Sequence, residues 1–217
     1  MSAGELLGIV GLTARVALVA TVLALPPAVA LGYWLARRDF RGRSLVQAVI
    51  ALPMVVPPVA VGLGLLVLLG PRGPFAGLGI QIVFTWWAAA LAAATVGFPL
   101  LVRACEQSFA EVDVAYESVA RSLGLGRFQT FLRVSLPLAR RGVLYGSLLC
   151  FARGLGEFGA TALVAGIMPG RTETLSLGIW SRVQLGDEMG ALVLCSASFV
   201  LALTSMLVAE GWLRRAG

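Results

Sequence analysis

The chain has 217 residues, of which 59% are hydrophobic and 13% charged, with a mean hydropathy of +0.90. A soluble domain carries about 25% charged residues, so this chain has too few to cover a water-facing surface, and its apolar residues fall into runs long enough to cross a bilayer. All 17 basic residues are arginine, with no lysine and no histidine. That excludes a lysine-dependent phosphate loop, an HExxH zinc site and a Ser-His-Asp triad. Cys105, Cys150 and Cys195 show no metal or redox spacing and read as small apolar fillers. No catalytic, metal or cofactor site is expected. The net charge of +6 does not call for nucleic acid, because the arginines follow a membrane pattern.

Five spans are predicted in chain order, at about 12–36, 45–69, 82–102, 142–167 and 189–213, within a single domain over 1–217. The first span is a candidate signal peptide, since Ala28-Val29-Ala30 resembles a cleavage site. Its basic cluster follows the apolar run rather than preceding it, so the span is expected to be retained. The first-to-second connection holds Arg37, Arg38, Arg41 and Arg43. The third-to-fourth connection holds Arg103, Arg121, Arg127, Arg133, Arg140 and Arg141, and the tail holds Arg214 and Arg215. Against these twelve, the opposite loops hold only Arg72, Arg171 and Arg182. Cytoplasmic loops keep the arginine excess, which predicts an outside N-terminus and a cytoplasmic C-terminus. The three outer arginines either steer an anion or dock an acidic surface of a binding protein, or are ordinary solvated loop charges.

Prolines interrupt the spans at Pro26-Pro27, Pro53, Pro57-Pro58 and Pro99. Each removes a backbone donor, and such breaks are tolerated where a neighbour or a wet cavity satisfies the freed carbonyls. The run Leu52–Pro58 is the densest, and is either a packing kink or a segment lining a pathway. Gly142 and Gly146 form a GxxxG step suited to close helix packing.

The segment 104–141 is the one long hydrophilic stretch. Asp113 is a plausible N-cap. Tyr116, Val119, Ala120 and Leu123 recur at helical spacing, and Gly124 and Gly126 offer a helix stop. Phe128, Phe131 and Leu132 begin a second short amphipathic stretch that ends at Leu136-Pro137. A short helix with its own apolar face between two spans suits docking to a protein partner; the plainer alternative is a helix resting on lipid.

Ala120-Arg121-Ser122-Leu123-Gly124 followed by Val134-Ser135-Leu136-Pro137 resembles the EAA signature of ABC importer permeases. Gly124 and Leu136-Pro137 match in register. Ser118 and Val119 stand where the signature has Glu-Ala, and Glu117 lies one place early. Four further stretches resemble molybdate transporter permeases: Leu52–Val59, Phe98–Arg103, Ala152–Ala160 and Pro169–Thr174. The Leu-Gly-Glu-Phe-Gly-Ala run is shared with sulfate permeases.

The resemblance implies an all-α integral membrane protein with the type I ABC importer permease fold, in the cell inner membrane. Its coupling residues would be Tyr116, Glu117, Ser118, Ala120, Arg121, Gly124, Leu136 and Pro137. Its partners would be a second permease copy, two cytoplasmic ATPase subunits and an extracytoplasmic oxyanion-binding protein. No regulatory domain is expected after Arg215.

In the fourth span Arg153 and Glu157 lie four residues apart, on one helix face. Ionisable residues at that depth usually pair or face water. Pro57, Pro58, Arg153, Gly156 and Glu157 are therefore the pathway candidates, with a purely structural Arg153–Glu157 pair as the equal alternative. An ATP-independent channel or secondary transporter also uses broken helices and midplane charges, and a membrane-embedded enzyme is the remaining class.

Overall fold

The computed structural model describes residues 2–74 and 81–215, and these form ten α-helices and one π-helical turn, with no strand among them. In order the helices are α1 (Ala3–Arg37), α2 (Arg43–Val55), α3 (Pro58–Leu69), α4 (Trp86–Glu111) and α5 (Val114–Ser122). Then come α6 (Arg127–Thr130), the π-turn (Phe131–Ser135), α7 (Leu136–Leu155), α8 (Gly159–Val164), α9 (Leu175–Gln184) and α10 (Glu188–Arg215). The side chains of Arg214 and Arg215, counted above, lie outside the described set.

Helix α4 is the centre of the bundle. Ala88, Ala89, Ala90, Ala92 and Ala93 in its first half are all buried, and α1 and α7 pack along it. Without a hydrophobic drive between helices in lipid, association depends on close van der Waals packing, which small residues permit. The GxxxG step has this role: Gly142 lies against Ser108 and Gly146 against Ala104 of α4. Cys105 and Cys150 are buried in the same core. Helix α10 is the outermost, with Phe199, Val200, Leu203 and Leu207 facing outward as lipid-solvated side chains do.

Three helices are each long and apolar enough to cross a membrane: α1, α4 and the Glu188–Val208 part of α10. The stretch expected to be the second span is a pair, α2 and α3, bent by 104°. Val56 precedes a proline and takes an extended conformation (φ −68°, ψ 139°), while Pro57 and Pro58 supply no donors to continue α2. The stretch expected to be the fourth span is also interrupted. There α7 carries Arg140, Arg141 and Arg153 and stops at Leu155, and α8 restarts at Gly159.

Helix α1 also contains an arginine that topology counting passed over. Arg15 is exposed, and its guanidinium lies 3.9 Å from the ring centroid of Trp86, which stacks on Trp87. Tryptophans mark membrane interfaces. From Arg15 to Arg37 is 37 − 15 = 22 residues, or about 33 Å at 1.5 Å per residue, close to the hydrocarbon thickness of about 30 Å.

Candidate functional site

At the α5 end of the bundle, Asp113 caps α5 by accepting the Ala115 N–H at 2.8 Å. The helix closes with Gly124 in the left-handed region (φ +92°), the Gly124 N–H donating to Arg121 C=O and the Leu125 N–H to Ala120 C=O. The orientation of α5 is the informative feature. Tyr116, Val119 and Leu123 are exposed, as is Phe128 just beyond, while Glu117 and Ala120 are buried. An apolar face pointing away from the bundle is a surface that a partner can cover.

Glu117 is only 1% exposed, and both of its oxygens are occupied. Oε1 accepts from Arg37 Nε at 2.8 Å and from Ser135 Oγ at 2.8 Å. Oε2 accepts from Tyr33 Oη at 3.2 Å and from Arg121 Nη2 at 3.0 Å. Burial pushes its pKa up, but the bonds from Ser135 and Arg37, with the Arg37 charge and Tyr33, more than offset this and hold it below the usual carboxylate value. Tyr33 also meets Phe109 and Phe131 edge-on, so the carboxylate sits beside an aromatic core.

Of the other coupling candidates, Ser118 is exposed and donates to Val114 C=O at 3.1 Å. Arg121 and Gly124 are exposed, Leu136 packs partly into the core, and Pro137 is exposed in the first turn of α7. No local pattern marks Tyr33, Arg37 and Ser135 as partners of Glu117, since they lie 84, 80 and 18 positions from it. Nearby, buried Glu106 on α4 accepts from Arg43 at 3.0 Å and Gln47 at 2.6 Å, tying α2 to the same end.

The two helix breaks are neighbours. Helix α3 packs on α8, and a side chain at Gly62 would reach Ala160 Cα at 2.7 Å, so only glycine permits this approach. Gly159 similarly faces Pro58. The structure thus brings Pro58 close to the segment holding Gly156 and Glu157. Glu157, 3% exposed, pairs with Arg153 Nη1 at 2.8 Å and accepts the Ala160 N–H at 3.0 Å. Its carboxylate therefore bridges the end of α7 and the start of α8. Arg153 is one-third exposed, and Gly156 is exposed.

At the opposite end, Arg182 contacts Glu5 (2.5 Å), Glu173 (3.3 Å) and Asp187 (3.6 Å). This engagement explains the acidic residue in the Pro169–Thr174 loop and makes Arg182 a structural partner rather than a solvated loop charge. Arg72 and Arg171 are exposed. Thr172 is buried and closes the loop by donating to Gly166 C=O at 2.9 Å.

The segment 28–216 matches the family described as the binding-protein-dependent transport system inner membrane component. The chain belongs to this family. The permease is 42% identical over 211 residues to the molybdenum transport system permease protein ModB of Escherichia coli K12, covering 94% of this chain and 91% of the relative. It is 39% identical over 213 residues to ModB of Haemophilus influenzae, covering 95% and 92%. Its fold matches the MetNI methionine ABC transporter in inward-facing conformations, with a TM-score of 0.79 at 16% identity over the full length of both chains. The permease is thus a multi-pass membrane protein of a binding-protein-dependent transport system, with the fold of an ABC importer permease.

Proposed function

We propose that this permease forms the pathway for a tetrahedral oxyanion, molybdate with tungstate beside it, by alternating access coupled to ATP hydrolysis on separate subunits. The observation that carries the coupling is the orientation of α5, with Glu117 anchored inward and Tyr116, Val119 and Leu123 outward. That face, with Ser118, Arg121 and Gly124 beside it, suits the ATPase, and Leu136 and Pro137 lead the movement into α7. The arginine-rich α5 end is then cytoplasmic and the N-terminal end outside. Two identical copies would enclose the pathway, with the Pro57-Pro58 and Gly156-Glu157 breaks facing it. Lipid surrounds the pair.

The anion assignment is supported by the two ModB relatives and the stretches Leu52–Val59, Ala152–Ala160 and Pro169–Thr174. Arg153 is a positive group in the last turn of α7, beside the second break, and its pairing with Glu157 keeps a dianion from being held too tightly. The ligand shifts the equilibrium only by binding the two states differently.

The test is purification in mild detergent followed by a magnesium-dependent ATPase assay of wild type and Gly124→Trp, then uptake with molybdate, tungstate and sulfate in competition. ATPase that copurifies with wild type and is lost in the variant supports the coupling loop. Wild-type permease without ATPase points to a channel or secondary transporter. Uptake blocked by sulfate alone would replace molybdate with sulfate.

A further inference from the structure

We infer that Glu117 is a positioning residue that locks the coupling helix to α1 and to the start of α7, and that it does not itself touch the ATPase. This rests on the importer reading and specifies how movement leaves the coupling helix. Glu117 is 1% exposed, whereas Tyr116, Val119 and Leu123 on the adjacent face are each more than half exposed. A partner covering that face meets apolar side chains and not the carboxylate.

The four donors to Glu117 come from three elements. Tyr33 and Arg37 belong to the last turns of α1, Arg121 to α5, and Ser135 to the π-turn directly before α7. The covalent route from α5 to α7 runs first through Gly124, Leu125 and Gly126, a link with little intrinsic stiffness, and then through α6 and the π-turn. The carboxylate bridges that connection from the side. Arg37 adds a second tie by donating to Val112 C=O at 3.0 Å, at the joint between α4 and α5. A force on α5 is therefore delivered together to α1 and α7. The far end of α7 is the break held by Arg153 and Glu157. Movement passed to α7 thus reaches the segment beside α3. Coupling travels through physically connected elements, and α7 is tied at one end through Ser135 to Glu117 and at the other through Arg153 to Glu157.

The test uses the permease reconstituted with its ATPase subunits and loaded binding protein. Glu117→Gln is expected to retain the ATPase subunits while molybdate uptake per ATP hydrolysed falls about tenfold. Val119→Asp, on the exposed face, is expected to release the ATPase subunits. Tyr33→Phe and Ser135→Ala each remove one donor gently. Each should lower uptake per ATP in wild type and add nothing in the Glu117→Gln background. Release of the ATPase by Glu117→Gln would place the carboxylate in the docking face and overturn the inference. Wild-type stoichiometry in Glu117→Gln, or independent effects of the two gentle variants, would also overturn it.

Hydrogen exchange of amides 114–122 in reconstituted permease alone separates this inference from the importer reading. Glu117→Gln should speed that exchange about tenfold. Unchanged exchange overturns the lock even if the importer reading stands. Faster exchange with no ATPase in the wild-type preparation sinks the importer reading and, with it, the coupling role.

Discussion

The two ends of the bundle are held by the same chemistry with the signs reversed. At the α5 end one carboxylate, Glu117, gathers two guanidiniums, a phenol and a hydroxyl. At the N-terminal end one guanidinium, Arg182, gathers three carboxylates. Helix α1 takes part in both, with Glu5 near its start and Tyr33 and Arg37 near its finish. The environments differ. Both ends hold one buried pair, Arg37–Glu117 (13% and 1% exposed) and Arg182–Glu173 (14% and 2%). Two of the three partners of Arg182, Glu5 and Asp187, are however 43% and 47% exposed, against one of the four of Glu117, Arg121. Exposed pairs gain little because water and salt screen them. Removing one partner of a buried pair leaves a charge without solvent or counter-ion. More of the contacts at the α5 end are therefore shielded from water than at the N-terminal end.

The largest expected effect is Glu117→Ala, which strands the Arg37 guanidinium in a nearly dry site. It should cost about 3–5 kcal/mol, read as a lowered unfolding midpoint of the reconstituted permease. A loss under about 1 kcal/mol, the value of a surface pair, would erase the difference between the ends.

Arg182→Ala leaves the buried Glu173 carboxylate without its guanidinium and should cost about 3 kcal/mol, the lower end of the buried-pair range. Glu5 and Asp187 can relax into water, and only Glu173, 2% exposed, loses a partner it cannot replace. The same unfolding assay checks this, and an effect exceeding that of Glu117→Ala would invert the comparison. Thr13→Val sharpens it without charge. The Thr13 hydroxyl donates to Ile9 C=O at 2.7 Å and accepts the buried Leu175 N–H at 2.9 Å, holding α9 to α1. Losing that acceptor should cost about 1–2 kcal/mol, and hydrogen exchange at Leu175 should rise accordingly.

The smallest effect concerns pH. Because the folded pKa of Glu117 is lowered, its contribution is complete above the unfolded value of about 4.3 and disappears as pH falls through the folded value. Between pH 7 and pH 5 the Arg37, Arg121 and Tyr33 contacts should therefore hold unchanged. A stability loss in that window that vanishes in Glu117→Gln would contradict this sign.

Local features were legible where they depend on residues close in the chain. The Asp113 cap, the Gly124 stop and the Pro57-Pro58 break each follow from backbone chemistry within a few positions, and all three are present. The interruption of the fourth span at Gly156–Phe158 was less visible, since only two glycines beside an ion pair signalled it. Arg15 was passed over because it lies inside an apolar run, and its partner Trp86 is 71 positions away (86 − 15 = 71).

By itself the sequence determined the solvent, the helical class and the short helix between α4 and α7, because hydropathy and helical spacing are sums over neighbouring residues. It did not determine which face of α5 turns inward. Tyr116, Val119, Ala120 and Leu123 read as one apolar face open to a partner, yet Ala120 is buried beside Glu117 while the other three are exposed. Only the tertiary structure decided this, because a carboxylate can be buried only when donors assemble around it. Those donors, Tyr33, Arg37 and Ser135, come from opposite sides of the loop in the chain and meet only after α1, α4 and α7 have packed.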